Sequence, residues 1–419
     1  MFEVPDPTPP DSPPEERDVR LLRELTLDGF LSFARASSPI ALAPLNLLIG
    51  PNGAGKSNFI EALALLAATR GDIERVIRRG GGVREWLHKG PQGRAARGRP
   101  NAEPSDFASI RALVGANDFM WDPIRYALEF EAVGARFHVT EERVWVEADQ
   151  ALPEGGLLFG THDGRLAIRT AGELHSIRAD SVDPARSILA QRRAPEQYPE
   201  LTALGERFER IQLYREWQSG YTSPLRLPQR TDLPNDHLLE DGSNLGLILN
   251  RIQADHYPVW NDLRASMRDL LDGFEDLVIK VEAASVQVFI VDRSGRRFPA
   301  VRLSDGTLRF LCLLAILCDP TPPPLIVIEE PELGLHPDAI CILPRLLREA
   351  SERTQVIVTT HSNALIDAFT ETPEVVVVTE RTDDGTTMRR LDRDGLAEWI
   401  EQYGLGRMWS MNLLGGNRW

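Results

Sequence analysis

Lysine is scarce in this chain, and one copy stands where phosphate chemistry would need it. Only Lys56, Lys89 and Lys280 are lysine. Lys56 and Ser57 close the run Gly50-Pro51-Asn52-Gly53-Ala54-Gly55-Lys56-Ser57, which fits G-x-x-x-x-G-K-[ST]. At this composition a match anywhere in the chain would arise by chance about two times in a thousand, so the run is not a by-product of abundant glycine. The chemistry it predicts is phosphate binding. Backbone N–H groups of Asn52, Gly53, Ala54 and Gly55 can turn inward around phosphate oxygens, and a helix opening at Lys56 adds its positive end. The Lys56 ammonium would bridge the outer phosphates, Ser57 would offer a hydroxyl to Mg²⁺, and Asn58 extends the contact.

A second cluster is acidic. The apolar run PLIVIEEPE delivers Glu329 and Glu330 at its end. Glu329 is assigned to the metal and Glu330 to the general base that accepts a proton from attacking water. Acids closing a strand also serve as plain solvent-facing turn residues; the phosphate loop upstream favours the chemical reading.

These residues need a scaffold. The text before the loop, Leu21–Phe30 and then PLNLLIG, reads as strands, and KSNFIEALALLAATRG reads as a helix stopping at Gly71. Residues 72–118 are Arg- and Gly-rich with little periodicity. Alternation over Tyr126–Glu147 and turn signals up to about Ile177 predict an antiparallel meander appended to a core sheet. From Asp183 the pattern is helical through Trp217 and again from Ser243 to about Leu271, with strands at DLVIKVEAA and VQVFIVD. The last third alternates short apolar strands with helices, as in a parallel sheet covered on both faces. The predicted organisation is a solvated tail at 1–18, the first part of an α/β lobe at 19–182, a helical lobe at 183–273, and the rest of the α/β lobe at 274–419.

The order of motifs resembles a known superfamily. Leu303-Ser304-Asp305-Gly306-Thr307 precedes an apolar helix, with GPNGAGKSN upstream and EEPELGLHP and TTHS downstream. This is similar to the ABC-type ATPase heads of the SMC, RecF and overcoming-lysogenization-defect families, and within them to RecF-like AAA ATPases. The resemblance covers roughly residues 20–70 and 185–419. It implies an α/β ABC-type P-loop head with a mixed sheet flanked by helices, an antiparallel β meander and a helical lobe. It also implies ATP and Mg²⁺ as cofactors and a homodimer with ATP sandwiched between the heads. In that dimer Ser304 and Gly306 would touch the γ-phosphate held by the other copy, His361 would sense the same phosphate, and Glu332 to His336 would exchange contacts across the interface. Taken alone, LSDGT is also an ordinary helix cap, and His361 is also a strand-end histidine satisfied by backbone. The glutamine that such heads bring to the metal is assigned to Gln191, in SILAQ; it could equally be a surface residue. Phe30 or Phe33 could stack on adenine or simply fill the core. Asp392 and Asp394 form a D-x-D pair that a hairpin turn explains.

Composition narrows the class further. With 47 Lys+Arg against 62 Asp+Glu the formal charge is −15, which argues against a protein that coats nucleic acid over its whole surface. A local basic segment, Arg75–Arg99, carries Arg75, Arg78, Arg79, Arg84, Lys89, Arg94, Arg97 and Arg99 with glycines and Trp86 interleaved, as in a phosphate-binding loop; a solvated insertion reads the same way. DNA is therefore one expected partner, with a role in DNA repair, and a protein effector, as in phage defence, is the other. No apolar run approaches the ~20 residues a bilayer span needs. The acidic, Pro-rich start does not read as a signal peptide, and Cys312, Cys318 and Cys341 read as buried thiols, so a cytoplasmic location is expected. A transporter head is disfavoured by the large insertion between the phosphate loop and LSDGT, and the missing heptads exclude long coiled-coil arms.

Overall fold

A computed structural model describes residues 18–90, 105–116, 122–147, 156–215, 217–400 and 402–415. Its centre is a six-stranded sheet in the order Ile211–Tyr214, Leu325–Glu329, Gln355–Thr359, Leu45–Ile49, Val376–Thr382 and Gly385–Arg390. All strands but the last run parallel; Gly385–Arg390 returns antiparallel as a hairpin. Alternate side chains on these strands enter different cores. Leu47, Ile326, Ile328, Val356 and Val358 join one apolar cluster, whereas Leu48, Leu325, Val327 and Ile357 join another. Burial on both faces explains why the strands read as continuous apolar runs.

The helix Lys56–Ala68 covers one face through Phe59, Ile60 and Leu63. The same apolar cluster takes in side chains of a separate eight-stranded antiparallel sheet. The opposite face of the parallel sheet is covered by the helices Asp305–Leu317 and Pro337–Ser351. A smaller sheet built on Phe274–Glu282 and Ser285–Asp292 packs into that same cluster with the helices Leu245–Asp255 and Tyr257–Leu270.

Several expectations change here. The meander is not appended to the parallel sheet; it pairs with the first strand, Leu22–Asp28, to make a sheet of its own. The stretch 72–118 is not irregular throughout. It contains the helix Ile73–Arg79, capped by Asp72, and the strand Phe107–Val114, which pairs with Leu22–Asp28. The region read as helical through Trp217 contains the strand Ile211–Tyr214, which pairs with Leu325–Glu329. Phe30 and Phe33 are core, with Phe30 packed edge-on against Trp86 at 5.6 Å between centroids. Of the thiols, Cys312 is buried but Cys341 is exposed. Asp392 accepts a hydrogen bond from Gly395 N at 3.3 Å and caps the helix Arg393–Ile400, not a hairpin turn. Residues 1–17 and 91–104, with Arg94, Arg97 and Arg99, lie outside the described residues. Among the described residues no helix is long and apolar enough to cross a membrane.

One buried acid pins the antiparallel sheet to the segment that follows it. Glu142 accepts hydrogen bonds from Tyr126 Oη at 2.8 Å, Ser187 Oγ at 2.6 Å and Ile188 N at 2.7 Å. Burial, only partly offset by these bonds, pushes its carboxyl up to about 7. The unfolded chain releases this proton near the ordinary glutamate value and the folded chain near 7, so the folded state binds more protons between them. Stability should therefore fall as pH rises from about 4.5 to 7 and then level off, by roughly 3 kcal/mol at most. Glu142→Gln, neutral at every pH, should flatten that part of a melting-temperature profile. An unchanged slope in the variant would refute the assignment.

Candidate functional site

The parallel strands end in register. Tyr214 lies beside Ile328, Glu329 beside Thr359, and Thr359 beside Leu48, so the loops that follow all open at one carboxyl edge of the sheet. A cavity of about 1100 Å³ occupies this edge, with Ser57, Gln218, Arg309, Glu329 and Glu330 among its walls.

The phosphate loop joins Leu45–Ile49 to the helix Lys56–Ala68. Gly55 caps that helix at φ 117°, a conformation side chains resist. A Cβ there would also come within 2.4 Å of Thr386 Oγ1 and 2.9 Å of Ser32 Oγ. These two hydroxyls back the loop: Thr386 Oγ1 donates to Ala54 O at 2.8 Å, and Ser32 Oγ accepts from Asn58 Nδ2 at 2.7 Å. Asn58, expected at the phosphates, instead braces the loop from behind. Asn52 and Gly53 are exposed at its crest, whereas Ala54, Gly55 and Lys56 are buried.

Lys56 is 7 % exposed and folds back on its own loop, donating to Gly50 O at 2.7 Å and Pro51 O at 3.3 Å. Burial lowers its ammonium to about 8, against the opposing pull of Glu330 and Glu329. A buried cation resting on carbonyls fits a polyphosphate, which would supply the countercharge. Ser57 Oγ stands 3.5 Å from Glu329 Oε2. Hydroxyl and carboxylate are hard oxygen donors of the kind Mg²⁺ takes. Burial raises the Glu329 carboxyl, Glu61 and Glu330 raise it further, and Arg215 opposes them. Arg215 follows the strand Ile211–Tyr214; its Nη1 lies 2.7 Å from Glu61 Oε1 and its Nε 3.6 Å from Glu329 Oε1.

Glu330 adopts φ 46°, rare for a residue with a side chain. Its N–H donates to Thr359 O at 3.0 Å and lies 3.2 Å from Thr359 Oγ1, so the neighbouring strand holds the turn. His361 Nε2 stands 3.6 Å from Glu330 Oε1. The loop carrying His361 is organised by Glu332, whose Oε1 accepts from Thr360 Oγ1 at 2.6 Å, His361 N at 2.9 Å and Ser362 N at 3.2 Å. Glu330 and His361 thus share one corner of the site with Glu329 and Lys56.

Gln191 is not brought there. Its Oε1 accepts from Asp183 N at 2.8 Å and its Nε2 donates to Asp183 O and Arg186 O, so the amide is used to close its own loop. The next residues, through Arg193, contact Arg70 beyond the far end of the phosphate-loop helix. The glutamine that does line the cavity is Gln218, after the strand beside Leu325–Glu329. No local pattern marks Arg215 or Gln218, because the strand before them, Ile211–Tyr214, sits in a stretch whose sequence pattern is helical.

Ser304 and Gly306 do not line the cavity. Ser304 caps the helix Asp305–Leu317, its Oγ accepting from Thr307 N at 3.0 Å. Asp305 accepts from Arg226 Nη2 at 2.6 Å, and that bond holds its carboxyl below the ordinary aspartate value. Gly306 sits close against Gly334: a Cβ at 306 would be 2.8 Å from Gly334 O. The basic segment also differs from expectation. Trp86 is buried and donates to Ile77 O at 3.2 Å; Arg78 pairs with Asp72 and Glu74, and Lys89 with Glu85.

A protein family described as "AAA domain, putative AbiEii toxin, Type IV TA system" matches residues 45–367, from the strand before the phosphate loop to the helix after His361. The chain belongs to this AAA family. The fold of this AAA protein is that of SMC heads. It superimposes on an SMC head bound to the C-terminal winged-helix domain of ScpA with a TM-score of 0.57 and 13 % identity, covering 89 % of this chain and 99 % of that one. An SMC head with an extended coiled coil, bound to the C-terminal domain of ScpA from Pyrococcus furiosus, gives a TM-score of 0.53 and 12 % identity, covering 91 % and 98 %. In sequence, 93 residues are 38 % identical to the chromosome partition protein Smc of Mycobacterium tuberculosis, over 22 % of this chain. The AAA protein spans about 7 % of the length of that relative.

Proposed function

We propose that this AAA protein binds ATP with Mg²⁺, hydrolyses it, and uses the bound nucleotide to join two copies head to head. The observation that carries the reading is the division of the motifs. Ser57 with Glu329 and Glu330 with His361 gather at one sheet edge, with Lys56 beside the two acids, while Ser304 turns its hydroxyl to the cap of its own helix and Gly306 packs on Gly334. A site whose parts are split in this way is completed by a second copy, whose capped helix start would face the outer phosphate. In the proposed chemistry Lys56 neutralises phosphate charge, and Ser57 and Glu329 hold Mg²⁺, which when bound offsets the charge that develops on the phosphates. Glu330 accepts the proton of the attacking water, and His361 orients the same corner.

A switch of this kind needs an output, and a protein effector is favoured over DNA. The family description names a toxin system. Both SMC heads described above are bound to another protein's domain. In the described part of the basic segment Arg78 and Lys89 are engaged in ion pairs within the segment and Trp86 is core.

Composite catalysis is tested by mixing two inactive variants. Ser304→Arg blocks the half-site offered to the partner, and Lys56→Ala blocks the chain's own half. Each alone should be inactive. A mixed dimer has one site with both defects and one with neither, so activity should return on mixing: up to about a quarter of native specific activity if dimers form at random and the sites work independently, and about a twentieth if an empty second site slows its neighbour fivefold. Full activity of Ser304→Arg by itself would reduce LSDGT to a helix cap and end the dimer reading.

A further inference from the structure

One side chain of the helix that carries Ser304 and Gly306 reaches two of the loops at the site at once, beside the contacts of Asp305 with Gly220 N and of Gly306 with Gly334. Arg309, just over one turn into that helix, donates through Nη1 to Leu333 O, three residues past Glu330. Through Nη2 it donates to Ser219 Oγ at 2.8 Å and approaches Trp217 O at 3.5 Å. Those two residues flank Gln218. The turn itself depends on Glu330, since Leu333 N donates to Glu330 O at 3.0 Å. Gly334 leaves room for the guanidinium: a Cβ there would meet Arg309 Nη1 at 2.8 Å. A planar fork with several donors can hold two loops and its own helix in one arrangement, which a flexible ammonium cannot.

We propose that Arg309 is a positioning residue that couples the two nucleotide sites of the dimer. The proposal rests on the dimer reading above. The helix start at Ser304 meets the nucleotide bound by the partner; Glu330 and Gln218 act on the nucleotide bound by the same chain. A shift of the helix on meeting the partner's nucleotide moves Arg309, and Arg309 moves the Leu333 turn and the Trp217–Ser219 segment together. Occupancy of one site thereby sets the geometry of the other.

Mixed dimers of the full chain test this. A tested chain is paired with excess Glu330→Gln partner, which binds ATP without hydrolysing it, or with excess Lys56→Ala partner, which does not bind. Both partners keep Ser304 and Gly306, so the tested chain's own site is complete and is the one that turns over. Turnover is compared per mixed dimer, with dimer content measured by light scattering. A native tested chain should hydrolyse at least about fivefold faster beside the ATP-filled partner. For Arg309→Ala the ratio should fall to about one, and Arg309→Lys should not restore it. Ser219→Ala, an exposed change that removes one bond, should give an intermediate ratio and serves if Arg309→Ala does not fold. The same ratio in native and in these variants, or a native ratio of one, overturns the proposal. Absence of mixed dimers with native chains overturns the dimer reading and this proposal with it; mixed dimers with an unaltered ratio overturn this proposal alone.

Discussion

ATP turnover in Glu330→Gln should fall by about two to four orders of magnitude while ATP binding persists. Glutamine keeps the shape of the side chain and can stand at the same distance from His361, but it cannot accept the proton that leaves the attacking water. The backbone should tolerate the change. The left-handed conformation at Glu330 is held by Thr359 through the main chain, not by the carboxylate. Because the blocked step follows assembly, the variant should accumulate as an ATP-bound dimer on size exclusion and return to monomer when nucleotide is removed. Glu329→Gln separates the roles of the two acids. It loses the anionic partner of Ser57 and should weaken the Mg²⁺ dependence of ATP binding, which Glu330→Gln leaves alone. If Glu330→Gln hydrolyses at the native rate and Glu329→Gln does not, the general base has been assigned to the wrong residue.

The second large effect is on binding. In the native protein, ATP at about 100 times Kd should raise stability by about 2.7 kcal/mol. Lys56→Ala should abolish that gain. Lys56 is the buried cation of the loop; its ammonium donates to the carbonyls of Gly50 and Pro51 and feels the carboxylates of Glu330 and Glu329, and a phosphate in the loop would bring further countercharge. Melting with and without Mg-ATP measures the change directly. A melting curve of the variant without nucleotide controls for damage to the loop. An ATP-induced shift of native size in Lys56→Ala would remove phosphate binding from this loop.

Much of the site was legible because its parts are local. The phosphate loop needs a strand, a short glycine-rich turn and a helix start, and all three are consecutive in the chain. The same holds for Glu329 and Glu330 at the end of an apolar run, and for Ser304 at the first turn of a helix. In each case the chemistry depends on backbone geometry within a few residues, which residue type and spacing specify. The parallel core was legible for a related reason: strands buried on both faces must be largely apolar, as residues 47–49, 325–328 and 356–358 are.

What the sequence could not determine depends on residues far apart in it. Ile211–Tyr214 reads as helix by its neighbours, yet it pairs with Leu325–Glu329 in the core sheet. That pairing carries Gln218, and not Gln191, to the cavity wall and brings Arg215 beside Glu329. Asn58 looks like part of the phosphate cradle until Ser32 takes its amide; Trp86 looks like part of a phosphate-binding loop until Phe30 and Ile77 O enclose it. Arg309 carries no motif signal of its own, and Glu332, expected among contacts across the interface, spends one carboxylate oxygen on the His361 loop of its own chain; both roles come from carbonyls and amides presented by other loops. Local spacing determined which groups can bind phosphate and move a proton. Only tertiary packing decided which distant side chains hold those groups in place, because hydrogen-bond partners supplied by separate strands leave no period or spacing in the chain.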